Sequence, residues 1–287
     1  MVINGAQDAA VPRVVAEGFL LGESPRWHDG RLYLSDWGAR RIVAIDTGGR
    51  VEEIARVDAM PFSFAFLPDG RMALLAGTTL QIRRPDGSFA PHADLAALSA
   101  KPWNEIVVDG EGRAFVNTIG FDFPGGDFRP GLVAAVGSDG VARLVAEDVA
   151  FPNGMAVTPD GRTLILAESY ANRLTAFTIG SAGQLMDRRA FATLPGCYPD
   201  GITIDAEGAV WFADVPGRCC TRVAEGGEIL ARVTIDRGCF ACMLGGADGR
   251  TLFIVAANWN GPEAIGTGGP SGQVIAVEES SPRAGWP

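Results

Sequence analysis

At 287 residues the chain has room for one large all-β domain or two small ones, and with 47% apolar residues it can bury a sizeable core. A formal net charge of −10 and a pI near 4.7 argue against nucleic acid or an anionic membrane as the main partner. Its 38 glycines and 18 prolines are dispersed, which favours many short strands and turns over long helices.

Met1 to Ala10 has neither a basic start nor an apolar run, so no signal peptide is expected. No stretch approaches the roughly 18 apolar residues of a membrane span. Arg13–Glu17 then reads as a strand. From Gly22 onward one pattern recurs: an apolar run, a tight turn with a glycine, and a second apolar run. The turn glycines are Gly30, Gly70, Gly112, Gly161, Gly208 and Gly249, at intervals of 40, 42, 49, 47 and 41 residues. A second series, Gly49, Gly87, Gly140, Gly183 and Gly227, interleaves with the first. Each period therefore holds about four strands, the size of a propeller blade, and six turns predict a six-bladed β-propeller in one domain. Gly272–Val277 reads as the third strand of the last blade, with Arg13–Glu17 as its fourth, closing the ring. A β-sandwich with a satellite domain leaves the six periods unexplained. The only candidate helix, Ala93–Leu98, is short and reads as a connection. The longest interval carries an insertion, Ile119–Pro130, whose aromatics among glycines and prolines suit a covering loop or a connection packed on its own blade. The five cysteines, Cys197, Cys219, Cys220, Cys239 and Cys242, are odd in number and crowded into the last third. They read as reduced, buried thiols of a cytoplasmic protein, not as a disulfide framework or a zinc site.

Counting back from the turn glycines locates the chemistry. Asn104, Asn153 and Asp200 each lie eight residues before theirs; Glu23, Ser63 and Cys242 lie seven before theirs. These positions open the first strand of each blade, which in a propeller lines the central channel. Glu23, Asn104, Asn153 and Asp200 thus converge on the axis. Two carboxylates with amide oxygens call for a cation, and oxygen-only ligation suits a hard divalent ion, calcium first, with zinc, manganese and iron(II) as alternatives. Gly154 and Gly201 follow two of these residues and fit close backbone packing. The competing reading is that the four are strand-start polar caps. His28 and His92, the only histidines, fall in predicted outer turns or connections away from the channel, which disfavours a Ser-His-Asp triad. Glu168 and Asp214 read as solvated.

The ordered set Gly22-Glu23-Ser24-Pro25-Arg26-Trp27, Asn104-Glu105, Phe151-Pro-Asn153-Gly154, Tyr198-Pro-Asp200-Gly201 and Leu244-Gly245-Gly246-Ala-Asp248 resembles the family of senescence marker protein 30, gluconolactonases and related lactonases. The resemblance implies a six-bladed propeller, metal-ligand positions at Glu23, Asn153 and Asp200, and a metal or substrate contact at Asn104. It implies a lactone or ester as the small-molecule substrate; a bound cation would then polarise the carbonyl, with Asp200 as ligand and general base taking a proton from the attacking water. Sugar-lactone members carry an arginine two residues before the position of Asn104, where this chain has Pro102. With Phe62, Trp103 and Phe121 expected around the substrate, a lactone less polar than a sugar lactone is predicted. Phosphotriester hydrolysis on the same site, or a non-catalytic binding propeller with a structural ion, are the rival readings.

Overall fold

The protein is described by a computed structural model over residues 11–264 and 268–287, so the leader expectation for Met1–Ala10 lies outside the described residues. Among the described residues the strands form six four-stranded antiparallel sheets. Five of them take four consecutive strands, and the sixth pairs Arg13–Phe19 with Gly272–Glu278 to complete Gly238–Gly245 and Thr251–Ala257. The first strand of each blade touches its counterparts in the two neighbouring blades, so six inner strands ring one axis: Gly22–His28, Phe62–Phe66, Glu105–Val108, Pro152–Val157, Pro199–Ile204 and Gly238–Gly245. This is the predicted propeller. No helix among the described residues is long and apolar enough to cross a membrane.

The repeat signal has a backbone cause. Every turn glycine of both series sits at positive φ, from 69° at Gly161 to 96° at Gly227, where a side chain is strained. The candidate helix is not one: Ala93 and Asp94 end the outer strand Phe89–Asp94 of the second blade, and a turn follows. Blades pack face to face, and apolar side chains from their inner and second strands fill the spaces between them. Ala65, Leu75, Ile106 and Val116 pack together between the second and third blades. Ala156, Ile165, Ile202 and Phe212 do so between the fourth and fifth.

Glu168 and Asp214 are not solvated. They are 0% and 3% exposed, because each ends the second strand of its blade beneath a loop that supplies partners. Cys219, Cys220, Cys239 and Cys242 are buried free thiols, while Cys197 is half-buried.

Candidate active site

Three inner strands carry a β-bulge where a site residue was expected. The register shifts between Glu23 and Arg26, between Pro152 and Met155, and between Pro199 and Ile202. A bulge adds a residue to one strand and re-aims its side chain. Ser24 (φ 49°) and Phe151 (φ 56°) are held in the left-handed region beside Glu23 and Asn153, local strain of the kind that accompanies functional sites. Gly154 and Gly201 admit no side chain: a Cβ on Gly154 would lie 2.6 Å from the Ile202 nitrogen, and one on Gly201 would collide with Ala241. The inner strands therefore meet backbone to backbone around the axis.

Glu23, Asn104, Asn153 and Asp200 line one cavity of about 530 Å³ at the axis. The other two blades behave differently, for a structural reason. In the second blade Ser63 lies within an unbulged inner strand, opposite Leu75, and is fully buried, whereas in the third blade, also unbulged, Asn104 precedes the strand and reaches the cavity. Met60 and Pro61 reach the cavity from the second blade's side. In the sixth blade the bulge falls at Phe240, between Cys239 and Ala241. Phe240 faces the cavity, while Cys242 is buried with its Sγ 3.5 Å from the Trp211 carbonyl. The cavity is polar on one side and apolar on the other.

Burial pushes the Glu23 carboxyl well above the usual carboxylate range, and the charges of Asp200 and Glu105 push it further. Asp200 is raised in the same way by burial and then by Glu105, with the Asn153 side chain pulling the other way. Asp200 Oδ1 is buried without a hydrogen-bond partner. An orphaned carboxylate oxygen beside a second buried carboxylate and two amides is a donor set that a hard divalent cation would satisfy. No three His, Cys, Asp or Glu side chains are grouped as a metal cluster among the described residues, so an ion here depends on the amide oxygens of Asn104 and Asn153.

Beneath the cavity lies a network that the sequence did not reveal. Arg26 Nη2 donates to Glu105 Oε1 (2.7 Å) and to the Ile106 carbonyl (2.6 Å), and Ser24 Oγ donates to Glu105 Oε2 (2.9 Å). These bonds span about 80 residues of sequence and tie the first blade to the third across the axis. The space beside them is only about 10 Å³, room for at most about one water. The channel is closed below the site. The Asn104-Glu105 dipeptide was the only signal of this arrangement.

The expected aromatic contacts are redistributed. Trp103 and Phe62 are 0% exposed and pack between blades, because inner-strand residues beside an axial one point into the faces where neighbouring sheets meet. Neither lines the cavity. Phe121 is buried behind the wall, 5.7 Å from the Phe151 ring by centroid. Its insertion crosses to the fourth blade, where Phe123 stacks edge-on against Phe151 at 5.0 Å and Tyr170 lies 4.5 Å from Phe151. Phe123, Pro124, Phe151 and Tyr170 form this side of the cavity, with Trp37 and Trp259 also at the wall.

The pentonolactonase of Haloferax volcanii is 27% identical over 268 residues, covering 91% of this chain and 90% of its own. The 6-deoxy-6-sulfogluconolactonase of Pseudomonas putida is 25% identical over 284 residues, 96% of each. Among solved structures, the calcium-binding protein regucalcin of Agrobacterium tumefaciens superposes with a TM-score of 0.77 at 21% identity, covering 96% of this chain and 97% of that one. The family pattern described as the SMP-30/gluconolactonase/LRE-like region matches residues 21–258, and the chain belongs to this family.

Proposed function

We propose that the chain is a hydrolase that opens a lactone in the axial cavity, with a bound divalent ion and a substrate less polar than a sugar lactone. The observation that carries this reading is the convergence of Glu23, Asn104, Asn153 and Asp200 on a cavity whose remaining wall is apolar. Lactones are also the substrates named for the two relatives with high coverage. Glu23, Asn153 and Asp200 would hold the ion, and calcium suits their oxygen donors best. When bound, such an ion supplies positive charge to a carbonyl oxygen as it becomes an oxyanion. Asp200 accepts a proton from the attacking water. Asn104 orients the lactone carbonyl with its amide. The closed floor and the aromatic wall exclude bulk water, which strengthens each of these interactions.

The test is to strip the protein with chelator, restore calcium, zinc, manganese or iron(II) singly, and follow acid release from sugar and alkyl or aryl lactones. Activity is expected to vanish with chelation and return with one ion, and to favour the apolar lactones. Activity unaffected by chelator would remove the ion from the reading, and a strong preference for gluconolactone would remove the apolar substrate.

A second expectation concerns the wall. Phe123→Ala should raise KM for an aryl lactone by roughly five- to tenfold, from lost apolar contact, with kcat little changed. Steady-state kinetics on the two proteins checks it. An unchanged KM would mean that the insertion covers the fold and does not touch substrate.

A further inference from the structure

A second pocket, of about 400 Å³, lies at the other end of the axis, at the far ends of the inner strands of the first three blades. A C-terminal segment crosses this end. Arg283 pairs by backbone with Asp205 and Trp286 with Val157, each as an isolated β-bridge; the Arg283 backbone nitrogen donates to the Gly249 carbonyl (2.8 Å), and the Ala284 nitrogen donates to the Ile204 carbonyl (3.1 Å). The segment thus spans blades four to six, and its last indole lies so close to Gly110 that a Cβ there would sit 2.6 Å from the ring. Trp27, His28, Phe66, Arg26, Arg283 and Trp286 line the pocket.

Its charge is unbalanced. Among the described residues no carboxylate forms an ion pair with Arg283, and its one side-chain hydrogen bond is a long one, 3.4 Å to the Trp27 carbonyl. Burial holds its guanidinium below the ordinary value; burial also lowers His28, against the pull of Asp29 and with a smaller push from Arg283. Arg26 Nε, in the same lining, is buried with no hydrogen-bond partner. Asp29 carries the only acidic side chain in the lining, and the terminal carboxylate of Pro287, which also lines it, makes no ion pair with Arg283. The Asp29 carboxylate is 84% exposed and lies 3.3 Å from His28. His28 itself stacks flat on Phe66, ring centroids 3.8 Å apart. A partly desolvated guanidinium without a counter-ion is costly unless something neutralises it. Here it faces a cavity of ligand size with flat apolar walls.

We propose that this far pocket is a second binding site, distinct from the axial cavity, for a small organic carboxylate with a planar apolar body. The carboxylate pairs with Arg283 and the body lies among Trp27, Phe66 and Trp286. Arg283 offers the forked donor geometry that a carboxylate matches. The walls supply the apolar contact that an inorganic anion would leave unused.

The test is calorimetric titration of the intact protein with sodium 1-naphthoate, with 1-naphthalenemethanol as the uncharged control. The wild type is expected to bind the carboxylate saturably at one site, and the alcohol about tenfold or more weakly. Arg283→Met keeps the stem and removes the fork, and should weaken naphthoate by about tenfold or more. His28→Glu leaves Arg283 in place and gives it an internal counter-ion; it should weaken naphthoate similarly, and it serves if the first variant does not fold. Absence of saturable binding by the wild type, equal binding of the alcohol, or unchanged affinity in either folded variant overturns the site. Naphthoate lodged in the axial cavity would give that last result. Lactone hydrolysis measured on Arg283→Met should equal that of the wild type, so failure here is separable from failure of the lactonase reading.

Discussion

Asp200→Asn is expected to lower kcat for lactone opening by about 10²–10⁴-fold, the range lost with a general base, while the protein remains folded. Asparagine keeps the shape of the side chain and one oxygen, so the bulged strand Pro199–Ile204 and its close contact with the sixth blade are preserved. What it cannot do is accept a proton. In the ion-free protein the substitution also relieves a burden: a buried carboxylate with an unpartnered oxygen, facing other carboxylates, is replaced by a neutral group. The chelated variant should therefore melt no lower than the chelated wild type. Single-turnover kinetics and calorimetric melting in chelator read the two halves separately. Substantial retained turnover would remove Asp200 from the chemistry, and a large drop in melting temperature would make it a support of the fold.

The largest stability effect is expected at Glu168. This carboxylate is fully buried, and it accepts hydrogen bonds from the Ala150 nitrogen (2.8 Å), Thr175 Oγ1 (2.5 Å), Arg173 Nη2 (2.8 Å) and Arg188 Nη2 (3.1 Å). From the second strand of its blade it ties the loop that carries Phe151 to the third and fourth strands. Removing one member of a buried charge network typically costs about 3–5 kcal/mol. Here the arginines stay about one-third exposed and can be rehydrated, so Glu168→Ala should fall near the lower end. For a chain of this size that lowers the melting temperature by roughly 6–12 °C. Burial alone would raise the Glu168 pKa, but the Ala150 N–H, Thr175 and Arg173 outweigh it and hold the group below its ordinary 4.5. Its stabilisation is thus complete above that value and is lost as pH falls through the lowered one. Thermal melts from about pH 7 down to about pH 3 should show the wild type losing its advantage over Glu168→Gln in acid. A difference that stays constant with pH would mean that packing, not charge, holds this corner.

The architecture was legible because its signal is local and repeated. Each turn glycine meets a backbone requirement that no other residue meets cheaply, and the same requirement recurs once per blade. The meeting of Glu23, Asn104, Asn153 and Asp200 at one cavity was legible because an offset of seven or eight residues from those glycines opens each blade's first strand. Side-chain direction was not legible. Trp103 and Phe62 adjoin axial positions in sequence yet point between sheets, and whether Ser63 or Cys242 would join Glu23 depended on where each inner strand starts and where a bulge falls. The Arg26–Glu105 bond was hidden because its partners lie 79 residues apart and meet only after the ring has formed. Glu168 was misjudged because its partners come from the preceding loop and from the third and fourth strands of its blade, and Ala150 and Arg188 lie 18 and 20 residues away in sequence.

The shared sixth blade also has a kinetic meaning. Within a blade, successive strands find one another across turns of a few residues. The pairing of Arg13–Phe19 with Gly272–Glu278 joins, among others, Glu17 to Gln273, separated by 256 positions. In the simplest polymer treatment, a closure of that span costs roughly 3 kcal/mol more than one of about ten residues. That cost falls steeply once the intervening blades have condensed and shortened the effective loop. The seam is therefore the step that waits for all the others, and refolding should slow when its strands are weakened while the separate blades still collapse on schedule.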